Sequence, residues 1–563
     1  MATKIKPPPK GMKVRTRKPA TASPVALVPS QGGAPPGAPA QMPIRVAQGA
    51  LGHICSLANG RLAAQSPRLY RYGGILVHIE RLPDRLETKR GGLIPKNTVT
   101  LERCDRIWLQ LELTRLAEWQ RPIMQLGILQ GWCECDAPMK IAEAILSDRV
   151  GWKVPVLNGV SEIPVIRDDG SIWAQQGYDE ATGIYYDPNG WVFPATPPAP
   201  TYNQAQTAIG YLCEPLQDFP FVDAMHHSAA LAMILTAMIR RQLSTAPAFG
   251  VSAREAGTGK GLLVDVAAII ATGRRAPITP FTKDEDEQRK RITAALMAGH
   301  AMINIDNVDG PLDSAALNAL LTSESWTERV LGKSEDATVP SNAMVITTGN
   351  NLRLEGDMTR RVVPILLDAQ MEQPELRRFD RELRSWVNHN RERMVAAALV
   401  ILAAWRTAGR PVSKEYVPLG SFEQWSLEVA EVLVWLGLPD PCLALRHSGD
   451  LDPKRSLLRR ALTAWDDLFG ESEITVGAMV LAVKDDDRDS AAEVRELLDE
   501  VAVRAVTDQA RKQQMGYWLR KMAGRVVLVE DGRSMRFVQA GTAHKVASWK
   551  AEEVEFQPDD PVV

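Results

Sequence analysis

Among 563 residues there are only 6 cysteines, and they are scattered. The one close pair is Cys133 and Cys135 in WCECD; no C-x-x-C and no second Cys/His pair stands at ligand spacing. This pattern excludes a disulfide scaffold, argues against a zinc site, and leaves reduced thiols of a cytoplasmic protein as the expectation. Long apolar runs are also missing. The longest, Ser228–Ile239, has 12 residues and ends against Arg240 and Arg241, whereas a bilayer span needs roughly twenty. It reads as a buried helix, no signal-peptide pattern is present, and no membrane partner is expected. Charge of one sign is scarce overall, since the net charge is −2, but acidic residues are absent before Glu80. In that stretch Lys4, Lys6, Lys10, Lys13, Arg15, Arg17 and Lys18 form a basic arm that suits either nucleic-acid phosphates or simple solubilisation. Aromatics make up 6%, and the 14 Trp are dispersed, which points to core packing rather than a base-stacking platform.

What is present is enough chain for roughly three to four domains. Pro7, Pro8, Pro9, Pro35, Pro36 and Pro39, with Gly and Ala between, predict a disordered basic arm over 1–43. A mixed α+β domain is expected over 44–215: a strand at Gly74–Ile79, a helix at Leu101–Ala117, and hairpins around Asp169–Gly170 and Asn189–Gly190. The run PATPPAP at 194–200 reads as a linker. A long helix from about Phe219 to Gln242 leads into an α/β core over 216–390. There the strands Pro247–Ser252, Ala301–Ile305 and Ala343–Thr348 alternate with helices Gly261–Ala271 and Ser314–Leu321. Short apolar strands separated by helices imply a parallel sheet covered on both faces. A helical region is expected over 391–470. Over 471–563 the helix Ala510–Met522, followed by strands about Asp531–Gly532, has the layout of a winged helix.

The segment Val251–Leu263, VSAREAGTGKGLL, sets a Gly-rich loop and Lys260 between a strand and a helix. Backbone groups of Ala256, Gly257, Thr258, Gly259 and Gly261 suit a polyphosphate cradle at a helix N-terminus, with Lys260 neutralising the β/γ-phosphates. The usual pattern has Gly where this chain has Arg254 and a hydroxyl where it has Gly261. Asp306 ends an apolar strand 46 residues after Lys260, which is where a carboxylate must anchor Mg²⁺. Asn350 ends the next strand, where an amide can orient water or touch a γ-phosphate. Arg360 and Arg361 follow ten residues later, placed for an arginine finger acting on a neighbouring subunit.

The order GTGKG, IDNVDG, TERVLGKSEDATVPSNAMVITTGNN, DMTRR resembles the ATPase core of superfamily 3 helicases within the AAA+ class, most closely the primase-helicase ATPases of phages, plasmids and integrated elements. VIRDDGSI, GYDEATGIYYDP and DFPFVD before the core are similar to the same proteins, as, more weakly, are SFEQWSLEVAEVLVWLGLPDP and GYWLRKMAGRVV after it. The resemblance spans roughly Met139 to Asp368. It implies an α/β AAA+ P-loop NTPase core, preceded by an α+β collar, DNA-binding or oligomerisation domain. It also implies ATP and Mg²⁺ as cofactors, with Asp306 as the metal ligand. A pore hairpin is implied between Asp306 and Asn350, with Lys333 as first and Arg329 as second candidate for gripping a single strand by its phosphates. In the C-terminal helix Arg511 and Lys512, with Arg520 and Lys521, are duplex-contact candidates, although a solvated face explains them equally; Met515, Trp518, Leu519 and Met522 belong to a core. Two departures stand out. Gly261 lacks the metal-binding hydroxyl, and Asn307 replaces a second carboxylate with an amide that positions water but accepts no proton; Asp309 and Glu324 are candidate substitutes.

The leading expectation is an ATP-dependent DNA helicase of a mobile element. It would act in replication as a ring, expected to be a hexamer, on single-stranded and origin duplex DNA, with a separate primase as a candidate partner. A nucleotide-switched initiator or scaffold with little hydrolysis is the alternative that Gly261 and Asn307 motivate. A small-molecule P-loop kinase leaves the extra hairpin interval and flanking domains without a use. No acidic constellation suggests priming.

Overall fold

The computed structural model describes residues 42–81, 99–329, 336–448, 453–484, 486–502, 505, 507–529, 533–543 and 546–554. The expected arm over 1–43 and Lys333 therefore lie outside or almost outside the described residues. The central element is a parallel five-stranded sheet. Its strands are β1 (Ala248–Ala253), β2 (Ile278–Pro280), β3 (Met302–Asp306), β4 (Met344–Asn350) and β5 (Val362–Leu367), in the spatial order β2-β3-β4-β1-β5. All six residues of β1 are buried. This matches a central parallel strand covered on both faces by helices.

The core helices are α1 (Ala224–Ile239), α2 (Lys260–Thr272), α3 (Glu285–Met297) and α4 (Ala315–Thr322). Three of them begin where the sequence supplies a side-chain cap, and α2 begins at Gly259 without one. Asp223 accepts from the amides of Met225 and His226, Asp284 from those of Asp286 and Glu287, and Ser314 from that of Leu317. The expected helix from Phe219 starts later for this reason, and also because Phe221 bridges to Leu367 of β5 before the chain turns. The apolar run Ser228–Ile239 lies inside α1 and is almost entirely buried. Among the described residues no helix is long and apolar enough to cross a membrane.

Two further expectations are corrected. The interval Leu101–Ala117 divides into a strand, Val99–Arg103, paired with Ile75–Arg81, and a helix, Arg106–Leu116, capped by Asp105. Asn189–Gly190 forms a turn with positive φ at both residues, but no strand returns from it; the hairpin there is Gly177–Asp179 against Ile184–Tyr186. The hairpin about Asp169–Gly170 forms as expected, Val165–Ile166 against Ile172–Trp173.

Residues Ile44 to Val154 contribute a separate small core containing Ile54, Leu109, Leu113, Trp119 and Ile145. The main core runs from Tyr70 through the sheet to Leu445 and takes in the helices Tyr202–Cys213 and Arg391–Thr407. Fully buried Arg391 ties this region to α2. Its guanidinium donates to the carbonyls of Ile269, Ile270, Ala271 and Glu162, and lies over the rings of Trp191 and Phe193. The Ile270 and Ala271 carbonyls are among those that a helix end leaves without an intrahelical donor. A third core gathers Leu458, Leu462 and Trp465 of the helix Pro453–Phe469, ahead of the expected division at 471. It joins them to Met515, Leu519 and Met522 of the helix Asp508–Met522 and to Phe537 and Trp549. Strands Val527–Leu528, Ser534–Ala543 and Val546–Glu553 form an antiparallel sheet beside that helix.

Candidate nucleotide-binding site

The Gly-rich loop leaves the C-terminal end of β1 and enters α2, so Ala256 to Gly261 wrap the helix N-terminus, where backbone amides and the helix dipole favour an anion. Gly257 (φ 75°) and Gly259 (φ 105°) take left-handed conformations that other residues resist. Thr258 is buried and its hydroxyl donates to the Glu255 carbonyl at 2.7 Å, bracing the loop. Lys260 Nζ donates to Asn350 Oδ1 at 2.6 Å and to the Glu255 carbonyl at 3.3 Å. Burial lowers the Lys260 ammonium below its ordinary value, with Asp306 and Glu255 opposing the shift.

Asp306 and Asn350 lie at the C-terminal tips of the adjacent strands β3 and β4. Parallel strands bring such tips to one edge, which is how residues 46 and 90 positions from Lys260 share a site with it. Thr348, which the sequence reading did not single out, orients the pair. Its hydroxyl donates to Asp306 Oδ1 and accepts from the Asn307 amide at 3.2 Å. Asn307 has φ 57°, a conformation asparagine tolerates better than most residues, so it also serves the turn that follows β3.

The residues present fit a nucleoside triphosphate with Mg²⁺. The loop offers free amides, a lysine and a helix end. Mg²⁺ commonly takes one or two carboxylates and completes its shell with phosphate oxygens and water. Asp306 supplies one carboxylate, and among the described residues no cluster of three or more His, Cys, Asp or Glu side chains could hold a metal by itself. Around Gly261 a Cβ would meet nothing within 4 Å, so its missing hydroxyl is not forced by crowding. Two neighbours of the loop were invisible in the sequence. A Cβ on Gly257 would come within 2.8 Å of Glu375 Oε2, and one on Gly259 within 3.3 Å of the Phe219 ring. The Glu375 carboxylate thus stands beside the cradle.

The structure does not bring Arg360 and Arg361 to Lys260. They precede β5 at the opposite edge of the sheet, where the Arg361 carbonyl accepts from Ala248 at the start of β1, about 15–20 Å from the loop by strand rise. The two arginines also differ. Arg361 is 14% exposed, donates to the Asn318 carbonyl at 2.8 Å and pairs with Asp357 at 2.9 Å. Arg360 is 66% exposed and makes a surface ion pair with Asp357 at 3.0 Å. Between β3 and β4 the chain forms an antiparallel hairpin, Ser325–Arg329 against Asp336–Pro340, with Arg329 opposite Asp336 at its outer end. Its base is fixed by Trp326, which donates to Thr293 at 2.9 Å, and by the Gly74 amide, which donates to the Thr338 carbonyl at 2.7 Å. Asp309 and Glu324 are exposed. Far along the chain, Arg511 pairs with Asp499 at 3.2 Å, and Lys512 is half-buried on the same helix.

No family profile and no curated protein matches this sequence. Among solved structures, the chain is similar to the A form apo structure of the NrS-1 C-terminal region, with 12% identity, a TM-score of 0.35, and coverage of 80% of this chain and 99% of that one. It is similar to the SCCmec type IV Cch active helicase with 10% identity, a TM-score of 0.28, and coverage of 86% and 97%. A JCV helicase bound to a thiazolopyridine compound shows 11% identity, a TM-score of 0.21, and coverage of 45% and 74%.

Proposed function

We propose that the chain is an ATP-dependent DNA helicase or translocase of superfamily 3 type within the AAA+ class, working as a ring, taken as a hexamer, in the replication of a mobile element. The observation that carries this reading is the single sheet edge at which Lys260, Asp306 and Asn350 meet, with Lys260 Nζ 2.6 Å from Asn350 Oδ1. Strand order supports it, because β1 stands between β4 and β5 and feeds its loop to the same edge. Bound ATP with Mg²⁺ supplies the phosphoanhydride whose cleavage drives movement, with Asp306 as the protein's metal ligand. Lys260 neutralises phosphate charge, Thr348 fixes the Asp306 carboxylate, and Asn350, handed over from Lys260, orients water.

Arg360 reaches the site of the adjacent subunit, which explains its exposure and its distance from its own Lys260. The hairpin of Ser325–Arg329 and Asp336–Pro340 lines the channel, and Arg329 and Lys333 grip the backbone of one strand without reading its sequence. Residues 44–215 form the collar. The helix Asp508–Met522 with its strands serves as a winged helix for origin duplex, presenting Arg511 and Lys512, and priming is left to a separate protein.

The test is displacement of a labelled strand from a forked duplex by the full chain with ATP and Mg²⁺. Unwinding that disappears on Lys260→Ala supports the reading. Nucleotide-dependent rings that neither unwind DNA nor turn over ATP would favour the nucleotide-switched initiator, for which Gly261 and Asn307 speak.

A further inference from the structure

A cavity of about 650 Å³ lies on the far side of the sheet from the phosphate loop. It is bounded by the C-terminal ends of α1 and α2, the start of β3, and the strands Val99–Arg103 and Gly159–Ser161. Since α2 spans the distance between loop and cavity, the two sites are about 20 Å apart by helix rise. The volume is that of a small-molecule site.

Its charge is one-sided. Four arginines line it, Arg240, Arg241, Arg274 and Arg275, against a single carboxylate, Glu162. Glu162 is already engaged by Arg274 in a two-pronged ion pair. Arg240 is 4% exposed and donates to the carbonyls of Leu243 and Ser341. Arg241 donates to the Gly299 carbonyl at 2.6 Å and to Asn342 at 3.3 Å. Neither has a carboxylate within ion-pair distance among the described residues. The chain makes room for this arrangement: Gly159 has φ 152°, and a Cβ there would sit 2.2 Å from an Arg241 guanidinium nitrogen. Burial, with the neighbouring Arg241, pushes Arg240 down to about 9, and burial lowers Arg241 as well. Buried guanidiniums of this kind stay charged, so the site carries unbalanced positive charge that an anion would relieve. Val160, Ile163, Val165, Met238 and Ala271 give the wall an apolar part, and Thr100, Ser161, Gln242, Thr272 and His300 add neutral polar groups.

We propose that this cavity binds an organic phosphomonoester of nucleoside-monophosphate size, its phosphate against Arg241 and Arg275 and its body against the apolar part of the wall. A dianion matches the surplus of cations, and guanidinium forks match phosphate oxygens. The site is independent of the phosphate loop.

The test is calorimetric titration of AMP and, separately, inorganic phosphate into the full chain carrying Lys260→Ala, which disables the loop site and so separates failure here from failure of the helicase reading. The expected result is one AMP per chain, bound several-fold more tightly than inorganic phosphate. Arg275→Glu at an exposed position should weaken AMP at least about tenfold without moving the melting temperature. Arg274→Gln, which frees Glu162 to repel the ligand, should weaken it similarly. Absence of AMP binding at millimolar concentration overturns the proposal. So does equal affinity for AMP and phosphate, or affinity unchanged in both arginine variants.

Discussion

Arg360 and Arg361 are neighbours in sequence, and the structure places them in surroundings different enough for distinct roles to be tested. Replacing Arg361 by Ala removes donors to the Asn318 carbonyl and the Asp357 carboxylate at a side chain that is 14% exposed. Hydrogen bonds of charged groups contribute about 1.5–3 kcal/mol, so a cost of about 2–3 kcal/mol is expected. At roughly 2–4 °C per kcal/mol for a domain of this size, melting should fall by about 5 °C or more. Replacing Arg360 by Ala breaks an ion pair whose partners are 66% and 48% exposed, and such pairs contribute about 0–1 kcal/mol. Melting should hardly move, while an arginine finger is worth about 10³-fold or more in turnover. The assay is steady-state ATP hydrolysis beside thermal unfolding, including an equal mixture of Arg360→Ala and Lys260→Ala chains. Each variant alone is expected to be inactive. In mixed rings about a quarter of the interfaces pair an intact Lys260 with an intact Arg360, and activity should return in that proportion. Failure of the mixture to recover, with Arg360→Ala folded and assembled, would refute action across an interface. Full activity of Arg360→Ala would refute the role altogether.

Four further outcomes follow from the site and its supports. Gly261→Ser should lower the Mg²⁺ concentration for half-maximal ATP turnover several-fold with unchanged melting, because a Cβ meets nothing within 4 Å there and a hydroxyl adds a metal ligand. Glu375→Gln should tighten nucleotide binding about 3–10-fold in an equilibrium titration at low salt, since it removes a negative charge beside the loop. Arg391→Met should cost at least about 3 kcal/mol in denaturant unfolding, because the Ile270 and Ala271 carbonyls at the end of α2 lose the donors that Arg391 supplies. The lowered proton affinity of Lys260 predicts a pH effect. The free protein loses this proton below the ordinary lysine range, so nucleotide affinity should fall as pH rises through that lowered value, and Lys260→Arg should move the fall to higher pH. The same group contributes stability that rises with pH between its folded and unfolded values, because the unfolded chain then binds the proton more strongly.

The three inner strands of the sheet were legible because each is an apolar run ending in the glycine loop, Asp306 or Asn350, and so was the helix that Ser314 caps, whereas the edge strands β2 and β5 and the helix α3 were not read from the sequence. The errors came where distant partners decide. Val99–Arg103 reads as the front of a helix until Ile75–Arg81 pairs with it, and only then does Asp105 become the cap. Asn189–Gly190 makes the turn its dipeptide favours, but a turn becomes a hairpin only if a second strand returns. The phosphate loop, Asp306 and Asn350 could be found from motif spacing. Thr348, Glu375 and Phe219 could not, since they reach the site by packing alone. The difference between Arg360 and Arg361 is likewise one of burial, which adjacent identical residues cannot show.

The most direct test of the central claim is steady-state ATP hydrolysis by the full chain with and without single-stranded DNA, for the natural sequence and for Lys260→Ala. A DNA-coupled motor predicts turnover that rises several-fold on adding the strand and vanishes in the variant. Turnover no greater than the Lys260→Ala background, with or without DNA, would contradict it.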